Sequence, residues 1–329
     1  MSANIQSRRT RLRAAVIGCG WIGAGEPVNR ETVGVQSHAE AYANHARTSL
    51  NAVVDANPEA AQKAAALWKA ETWFTEVSEM LQVVQPEIVS ICTPDALHAS
   101  TILAVLESTC VLAILAEKPL ALTVHEAKLI SEACEGRGVI LSVNYSRRFC
   151  PAFRQLRAEI QSGNLGTIQQ VHGYYCKGLI HNGTHWFDLL RYLFGEVVNA
   201  TPLSFPPVDA ETPSVSLTLA DGAGVVLQAV RTEAFTLFEM DILGEKGRVQ
   251  ILDSGHRIEY HTVHASTHYA GYQNLVASRV RENCLRHAVV HAIDDLINCL
   301  DNPSLKPLCT PLDAISSLSL GVEVMEALK

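Results

Sequence analysis

The chain has no long hydrophobic run. Its apolar stretches, such as 112–116 and 139–143, are short, whereas a membrane span needs about 20 consecutive apolar residues, so no membrane partner is expected. It also has no CxxC pair. The nine cysteines are odd in number and scattered (Cys19, Cys92, Cys110, Cys134, Cys150, Cys176, Cys284, Cys299, Cys309), which argues against a disulfide framework or a zinc ribbon and for small buried apolar side chains. A surplus of positive charge is missing as well. Against 26 Lys and Arg stand 34 Asp and Glu, a net charge of −8, so nucleic acid and anionic lipid are poor partners and a small molecule is the better one. The one basic stretch, 8–13, reads as a solvated arm before the first strand. There is no internal repeat, G-x-S-x-G turn, P-loop or glycosidase acid pair. The opening MSANIQSRRTRLR has no apolar region of a secretory leader, and residence in the cytoplasm is expected.

What is present is enough apolar material for two domains: 329 residues, 48% hydrophobic and 18% charged. Strands at 12–17, 50–55, 88–92, 111–116 and 139–143 are apolar throughout and alternate with helices at 37–47, 58–70, 96–107 and 124–135. That pattern predicts a parallel sheet covered on both faces, the doubly wound α/β or Rossmann arrangement, over residues 10–146. Beyond it the period changes. A helix at 151–162 is followed by strands at 167–177, 214–220, 223–230, 236–243 and 247–251, with helices at 186–194, 284–300 and 311–328. Residues 147–329 are therefore expected to form an α+β domain with a largely antiparallel open sheet. One wet face of such a sheet suits a homodimer or homotetramer.

Directly after the first strand stands Gly18-Cys19-Gly20-Trp21-Ile22-Gly23, a G-x-G-x-x-G turn. Gly18 suits a tight turn, Gly20 a close approach of backbone to a pyrophosphate, and Gly23 close helix packing, with Trp21 and Ile22 beside them. An acid ending the second strand would accept hydrogen bonds from the adenosine ribose, and Asp55 fits. It stands 32 residues beyond Gly23 where about 20 is usual, and an insert at 24–36 accounts for the excess. A carboxylate there repels a 2′-phosphate and no arginine follows it, so NAD is favoured over NADP. The other reading of Asp55 is a helix cap before Pro58.

Further along the sequence reads Cys92-Thr93-Pro94-Asp95-Ala96-Leu97-His98, then Ala116-Glu117-Lys118-Pro119-Leu120, Asn144-Tyr145-Ser146-Arg147-Arg148-Phe149, Ser162-Gly163-Asn164-Leu165-Gly166 and His185-Trp186-Phe187-Asp188-Leu189-Leu190-Arg191. With these the chain resembles the Gfo/Idh/MocA family, the group of glucose-fructose oxidoreductase and inositol dehydrogenase. The resemblance implies a hydride-transfer site in a cleft between the two domains. It places Thr93, Pro94, His98, Glu117 and Lys118 at the cofactor, with Lys118-Pro119 a candidate cis peptide. It makes Lys118 the residue that polarises a substrate hydroxyl and His185 the base that takes its proton.

Many family members carry an acid four residues before the catalytic histidine. Here that position is His181, in Gly178-Leu179-Ile180-His181-Asn182-Gly183-Thr184-His185, so His181, Asn182 and Thr184, with Arg147, are candidate substrate contacts. Asp188 is read as orienting His185 or as a plain helix-start acid. The pairs His181/His185 and His287/His291 have metal-ligand spacing but no accompanying acid, so no metal is expected. The run His256, His261, His264 and His268 lies in an irregular polar segment after the sheet and reads either as an edge of the pocket or, by preference, as a surface loop.

The function expected is NAD-dependent oxidation of a secondary hydroxyl on a sugar, amino sugar, nucleotide sugar or cyclitol. The alternatives are a redox-neutral NAD-dependent glycoside hydrolase and a non-catalytic dinucleotide-binding regulator.

Overall fold

A computed structural model describes residues 11–204, 208–233 and 235–328. Arg8, Arg9 and Thr10 of the basic arm lie outside them.

The first half alternates strand and helix. β1 (Leu12–Ile17), the short helices α1 (Trp21–Ala24) and α2 (Arg30–Val33), α3 (His38–Asn44), β2 (Thr48–Val54), α4 (Pro58–Trp68), β3 (Thr72–Phe74), α5 (Val77–Val84), β4 (Ile88–Ile91), α6 (His98–Val105), β5 (Ala113–Ala116), α7 (Val124–Arg137) and β6 (Ile140–Val143) follow in order. The six strands form one parallel sheet in the order β3-β2-β1-β4-β5-β6. The central strands are buried on both faces, which is why they carry unbroken apolar runs. Helix starts follow the chemistry of free backbone N–H groups. Asn57 caps α4, whose first residue is Pro58, and the Thr123 hydroxyl accepts from Glu126 at the start of α7. The three-residue edge strand β3 and helix α5 were not expected, because a strand that short has no period to read.

The second half contains α8 (Pro151–Gln161), β7 (Ile168–Tyr175), α9 (Thr184–Phe194), β8 (Val197–Pro202), β9 (Val215–Leu219), β10 (Gly224–Ala229), β11 (Glu239–Gly244), β12 (Gly247–Leu252), β13 (Arg257–Ala265), β14 (Gln273–Arg281), α10 (Ala288–Asp301) and α11 (Pro311–Glu326). Its eight strands run β14-β13-β12-β11-β7-β10-β9-β8, antiparallel except for the parallel pair β7 and β10. Register aligns one apolar row across the sheet: Leu217 opposite Val225, Val225 opposite Val171, Val171 opposite Ile242, Ile242 opposite Val249. All five are buried and share a core with Trp186, Phe187, Leu189 and Leu190 of α9. Alternate residues of β9 and β12 face outward.

Two expectations about this half are corrected. The stretch carrying His261 and His264 is strand β13, paired with β14, and not a loop. Its polarity is that of a sheet margin, for β14 is exposed along nearly its whole length. Strand β8, polar and at the opposite edge, was also unmarked in the sequence. The closing helices return to the first half. Val289, Ala292, Ile293 and Leu296 of α10 and Ala314, Ile315 and Leu318 of α11 belong to the core beneath the parallel sheet, while Leu320 and Val324 of α11 belong to the other core. α11 therefore packs into both halves.

Candidate active site

The strand order of the parallel sheet reverses between β1 and β4, and in such sheets ligands bind beyond the carboxyl ends at that switch point. A cleft of about 930 Å³ lies there. Gly18 turns the chain with φ +96°, and a Cβ on it would stand 2.3 Å from the Cys92 carbonyl oxygen, so the turn admits only glycine. A Cβ on Gly23 would meet the Gly18 carbonyl, which is how α1 sits directly on the turn. Around Gly20 nothing lies within 4 Å of that position, leaving room for a ligand to approach the backbone. Trp21 and Ile22 also line the cleft, and Trp21 is 52% exposed. Asp55 lines it too. Its Oδ2 accepts from the Cys19 N–H at 2.8 Å and its Oδ1 from the Asn57 N–H at 2.9 Å, so it ties the glycine turn to the end of β2 while Asn57 does the capping.

Beyond β4 and β5 two further loops meet. His98 is buried, with Nδ1 2.6 Å from the Pro119 carbonyl and Nε2 2.9 Å from the Thr93 carbonyl, so one ring clips the Thr93-Pro94 loop to the loop bearing Lys118. The Lys118-Pro119 peptide is cis. Glu117 Oε1 accepts from Asn144 Nδ2 at 2.6 Å and lies 3.0 Å from His38 Nε2, and His38 Nδ1 is 2.8 Å from Ser90 Oγ, itself 2.9 Å from the Tyr42 hydroxyl. One direction of donation satisfies this chain: Tyr42 to Ser90, Ser90 to His38, His38 to Glu117. Burial alone would raise the Glu117 pKa, but the His38 hydrogen bond and charge, the Asn144 bond and the Lys118 charge outweigh it, and the pKa is lowered. A carboxylate is thus held beside the lysine.

Lys118 Nζ donates to the His181 carbonyl at 2.8 Å. Burial lowers its pKa below the usual lysine range, the charges of Glu117 and Asp95 pull it back up, and Arg147 adds to the lowering. The His181 carbonyl reaches Lys118 because residues Leu179–Gly183 form a wide π-type turn ahead of α9, a departure from regular helix often found at functional sites. The same turn brings His181 Nδ1 to 2.7 Å from Asp95 Oδ2. Burial would raise Asp95, but the hydrogen bond and charge of His181 prevail and lower it. His181 is thus joined twice to loops of the parallel sheet.

His185 lies in the first turn of α9. Tyr145 and Phe238 meet its ring edge to face at 5.6 and 5.9 Å, and its nitrogens make no hydrogen bond among the described residues. Burial holds its pKa well below the ordinary histidine value, and the charges of Lys118, Arg147 and His181 push it the same way. At neutral pH it is an uncharged imidazole with a free acceptor, facing the cleft that Lys118 also lines.

Of the expected substrate contacts, His181 and His185 line the cleft together with Lys118, and three others do not. Arg147 is buried, stacked on Phe238 at 4.7 Å and on Trp186 at 5.4 Å, with Nη2 donating to the Ser254 carbonyl at 2.6 Å. Asn182 Nδ2 donates to the Cys176 carbonyl and Thr184 Oγ1 to the Ile180 carbonyl, both at 2.8 Å, and neither residue is among those lining the cleft. Asp188 does not reach His185 either. It pairs with buried Arg148 at 2.9 Å, and burial, only partly offset by Arg148, raises its pKa to about 6.

Sequence reasoning missed His38, Asp95 and Asn144 as partners, and of its two readings of His256 the less favoured one, the pocket edge, matches its place in the cleft lining. Their partners lie far off in the chain, His38 being 79 residues from Glu117 and Asp95 86 from His181. The only signal was that Asp95 and Asn144 each follow a parallel strand, where such sites collect.

A glycine cradle open at Gly20, an acid at the end of β2 and a cleft at the switch point fit a dinucleotide, and a lysine and a neutral histidine share that cleft. These features make a dinucleotide-type cleft within a two-part architecture. Residues 12–145, the parallel-sheet half of the chain, match the family GFO_IDH_MocA, described as an oxidoreductase family with an NAD-binding Rossmann fold. The chain is 28% identical to the rhizopine catabolism protein MocA of Rhizobium meliloti over 57% of its own length and 58% of that protein's, so it spans little more than half of that relative. It is 25% identical to the D-apiose dehydrogenase of Paraburkholderia graminis over 94% of this chain and 86% of that one. In fold it is similar to a levoglucosan dehydrogenase solved with NADH and levoglucosan, with a TM-score of 0.76 at 19% identity, covering 97% of both chains.

Proposed function

We propose that the protein oxidises a secondary hydroxyl of a sugar, nucleotide sugar, amino sugar or cyclitol, or reduces the matching ketone, with Lys118 and His185 as catalytic residues. The observation that carries this reading is their meeting. Lys118 follows a strand of the parallel sheet, His185 opens a helix of the other half, and both line one cleft. When bound, NAD supplies the hydride acceptor. Gly18, Gly20, Trp21, Ile22 and Gly23 would hold its pyrophosphate, Asp55 its adenosine ribose, and Thr93, Pro94, His98 and Glu117 its nicotinamide half. Asp55 favours NAD over NADP, because its carboxylate repels a 2′-phosphate.

Lys118, cationic and fixed by the His181 carbonyl, donates to the substrate oxygen and stabilises charge developing there. His185, neutral and without another hydrogen bond among the described residues, accepts the hydroxyl proton as hydride leaves the carbon, so that C–H and O–H break and C=O forms. Asp95 and Glu117 keep Lys118 charged despite its burial, and His181 positions it through the backbone. Residues 10–146 act as the dinucleotide domain and 147–329 as the substrate and oligomerisation domain, with α10 and α11 packing back onto the first. The exposed strand β14 and the outward residues of the eight-stranded sheet suit a homodimer or homotetramer, and the cytoplasm suits nine free cysteines.

The test is NADH formation, followed by near-ultraviolet absorbance, over free sugars, nucleotide sugars, glycosides and cyclitols, with Lys118→Ala as control. A substrate-specific rate lost in the variant is expected. Tight NAD binding with no rate from any compound would sink the reading, and release of free alcohol from a glycoside without net NADH would replace it with the hydrolase.

A further inference from the structure

The insert at 24–36 first served only to account for the distance between Gly23 and Asp55, and in the structure it builds part of the cleft. α1 ends at Ala24, and the chain leaves the parallel sheet before Ser37 caps α3. Contacts with its own half hold the insert: Trp68 Nε1 donates to the Ala24 carbonyl at 2.6 Å, Arg30 pairs with buried Glu40, and the Gln36 N–H donates to Glu40 Oε2 at 3.3 Å. The tip is fixed to the other half. The His287 N–H donates to the Val33 carbonyl at 3.0 Å, and the Val35 N–H donates to His287 Nδ1 at 3.1 Å. Gly34 lies against the imidazole with φ +65°, where a Cβ would stand 2.5 Å from the ring.

This clasp makes a surface that neither half has alone. Val33, Val35 and the polar Gln36 line the cleft from the insert, while Leu285, Ala288 and Val289, flanking His287, line it from the segment after β14. The two valines, the leucine, Ala288 and Val289 are apolar, and the clasp ties the two segments that carry them together. The proton-handling groups Lys118, His181 and His185 belong to other segments of the lining. A free sugar turns hydroxyls outward on every side and would strip water from them against such a wall without replacing the hydrogen bonds. A sugar carrying an alkyl or aryl group would bury apolar surface there instead.

We propose that this wall selects sugar or cyclitol derivatives that carry an apolar substituent, with Val33 and Val35 as specificity-determining residues and His287 as the positioning residue that holds the insert. The proposal rests on the dehydrogenase reading above and adds the substrate class. Replacing the valines by serine removes the apolar surface without touching the Lys118 and His185 machinery. His287→Asn keeps a side-chain acceptor for Val35, and Asn tolerates the left-handed backbone that His287 adopts at φ +60°, whereas His287→Ala keeps neither advantage.

The test is calorimetric titration of the full chain saturated with NADH, using matched pairs of free sugar and phenyl glycoside in the gluco, galacto and xylo series, with NADH affinity read separately by its fluorescence. In at least one series the phenyl glycoside is expected to bind about tenfold tighter or more than the free sugar, the scale at which apolar pockets discriminate. Val33→Ser/Val35→Ser and His287→Ala should bring the pair together, His287→Asn should keep them apart, and NADH affinity should stay unchanged in all three. Equal affinities in the unaltered protein, a preference that survives the serine pair, or variants that weaken NADH instead would each overturn the wall. If sugars are oxidised without the preference, only this inference falls. If NADH binds and no sugar or glycoside binds or reacts, the dehydrogenase reading falls and takes the wall with it.

Discussion

The two sheets bring chemistry to the same cleft by different routes. The parallel sheet is buried on both faces, so its side chains are spent on packing and its function lies in loops at the carboxyl ends of β1, β2, β4, β5 and β6. Each loop is a short contiguous motif. The eight-stranded sheet gives the cleft nothing from its strands. Its contributions come from segments that leave it: His181 and His185 after β7, His256 between β12 and β13, and Leu285 and Ala288 beyond β14. A covered parallel sheet thus concentrates function locally in sequence, while an open antiparallel sheet scatters it.

Four substitutions would break or sharpen this contrast, in decreasing order of effect. Lys118→Ala, at the end of β5, should lower kcat by roughly 10²- to 10⁴-fold and leave NADH affinity nearly unchanged in a fluorescence titration. A loss of cofactor binding instead would make Lys118 a dinucleotide ligand and not the polarising group.

Arg148→Met comes next. Arg148 leaves β6 and meets Asp188 of α9 and Asp313 of α11 at 2.9 and 3.1 Å, joining both halves. Removing one partner of such a buried pair costs about 3–5 kcal/mol, to be read as a lower denaturant midpoint. A shift below about 1 kcal/mol would show that the joint is dispensable.

Asp55→Ala should weaken NAD by roughly tenfold, about 1.4 kcal/mol, and narrow its advantage over NADP, both measured by equilibrium titration. The smallest effect is expected from His181→Ala, which severs a half-exposed pair worth about 0–1 kcal/mol but keeps the carbonyl that holds Lys118. Its KM should rise no more than about fivefold with kcat unaltered.

The pH profile separates the two halves in another way. As the proposed base His185 would act while neutral, and burial lowers its pKa well below 6.5, so kcat/KM should stay flat from neutrality down past pH 6.5 before falling. As the proposed polarising group Lys118 would act while charged, and its pKa is lowered from 10.5, so the alkaline limb should fall below that value. An acid limb at or above pH 6.5 would mean that His185 is not the base.

How much was legible follows from the same contrast. The glycine turn, Asp55 and the Glu117-Lys118-Pro119 loop were readable because each lies within a few residues of a strand whose apolar run announces it. His185 was readable through its helix motif. Arg147, Asn182 and Thr184 sit in equally suggestive motifs but turn to Ser254, Cys176 and Ile180, and direction is a matter of backbone path that residue type does not carry. His38, Asp95 and His256 depend on partners many tens of residues away or on a strand edge, and no local period marks them. The β13–β14 hairpin was missed because β14 is exposed along nearly its whole length and only the first half of β13, at Ile258 and Tyr260, alternates with a buried face.

The central claim is hydride transfer between a sugar carbon and the nicotinamide ring, with Lys118 and His185 handling the oxygen and its proton. It is tested most directly by following deuterium. The fastest substrate of the panel, deuterated at the reacting carbon, is incubated with the protein and NAD, and the reduced cofactor is examined by mass spectrometry and NMR. The account predicts that deuterium appears on one face of the nicotinamide ring in step with turnover, and that Lys118→Ala slows its arrival. Deuterium lost to water, or retained on an unoxidised product while NAD is unchanged, would contradict it.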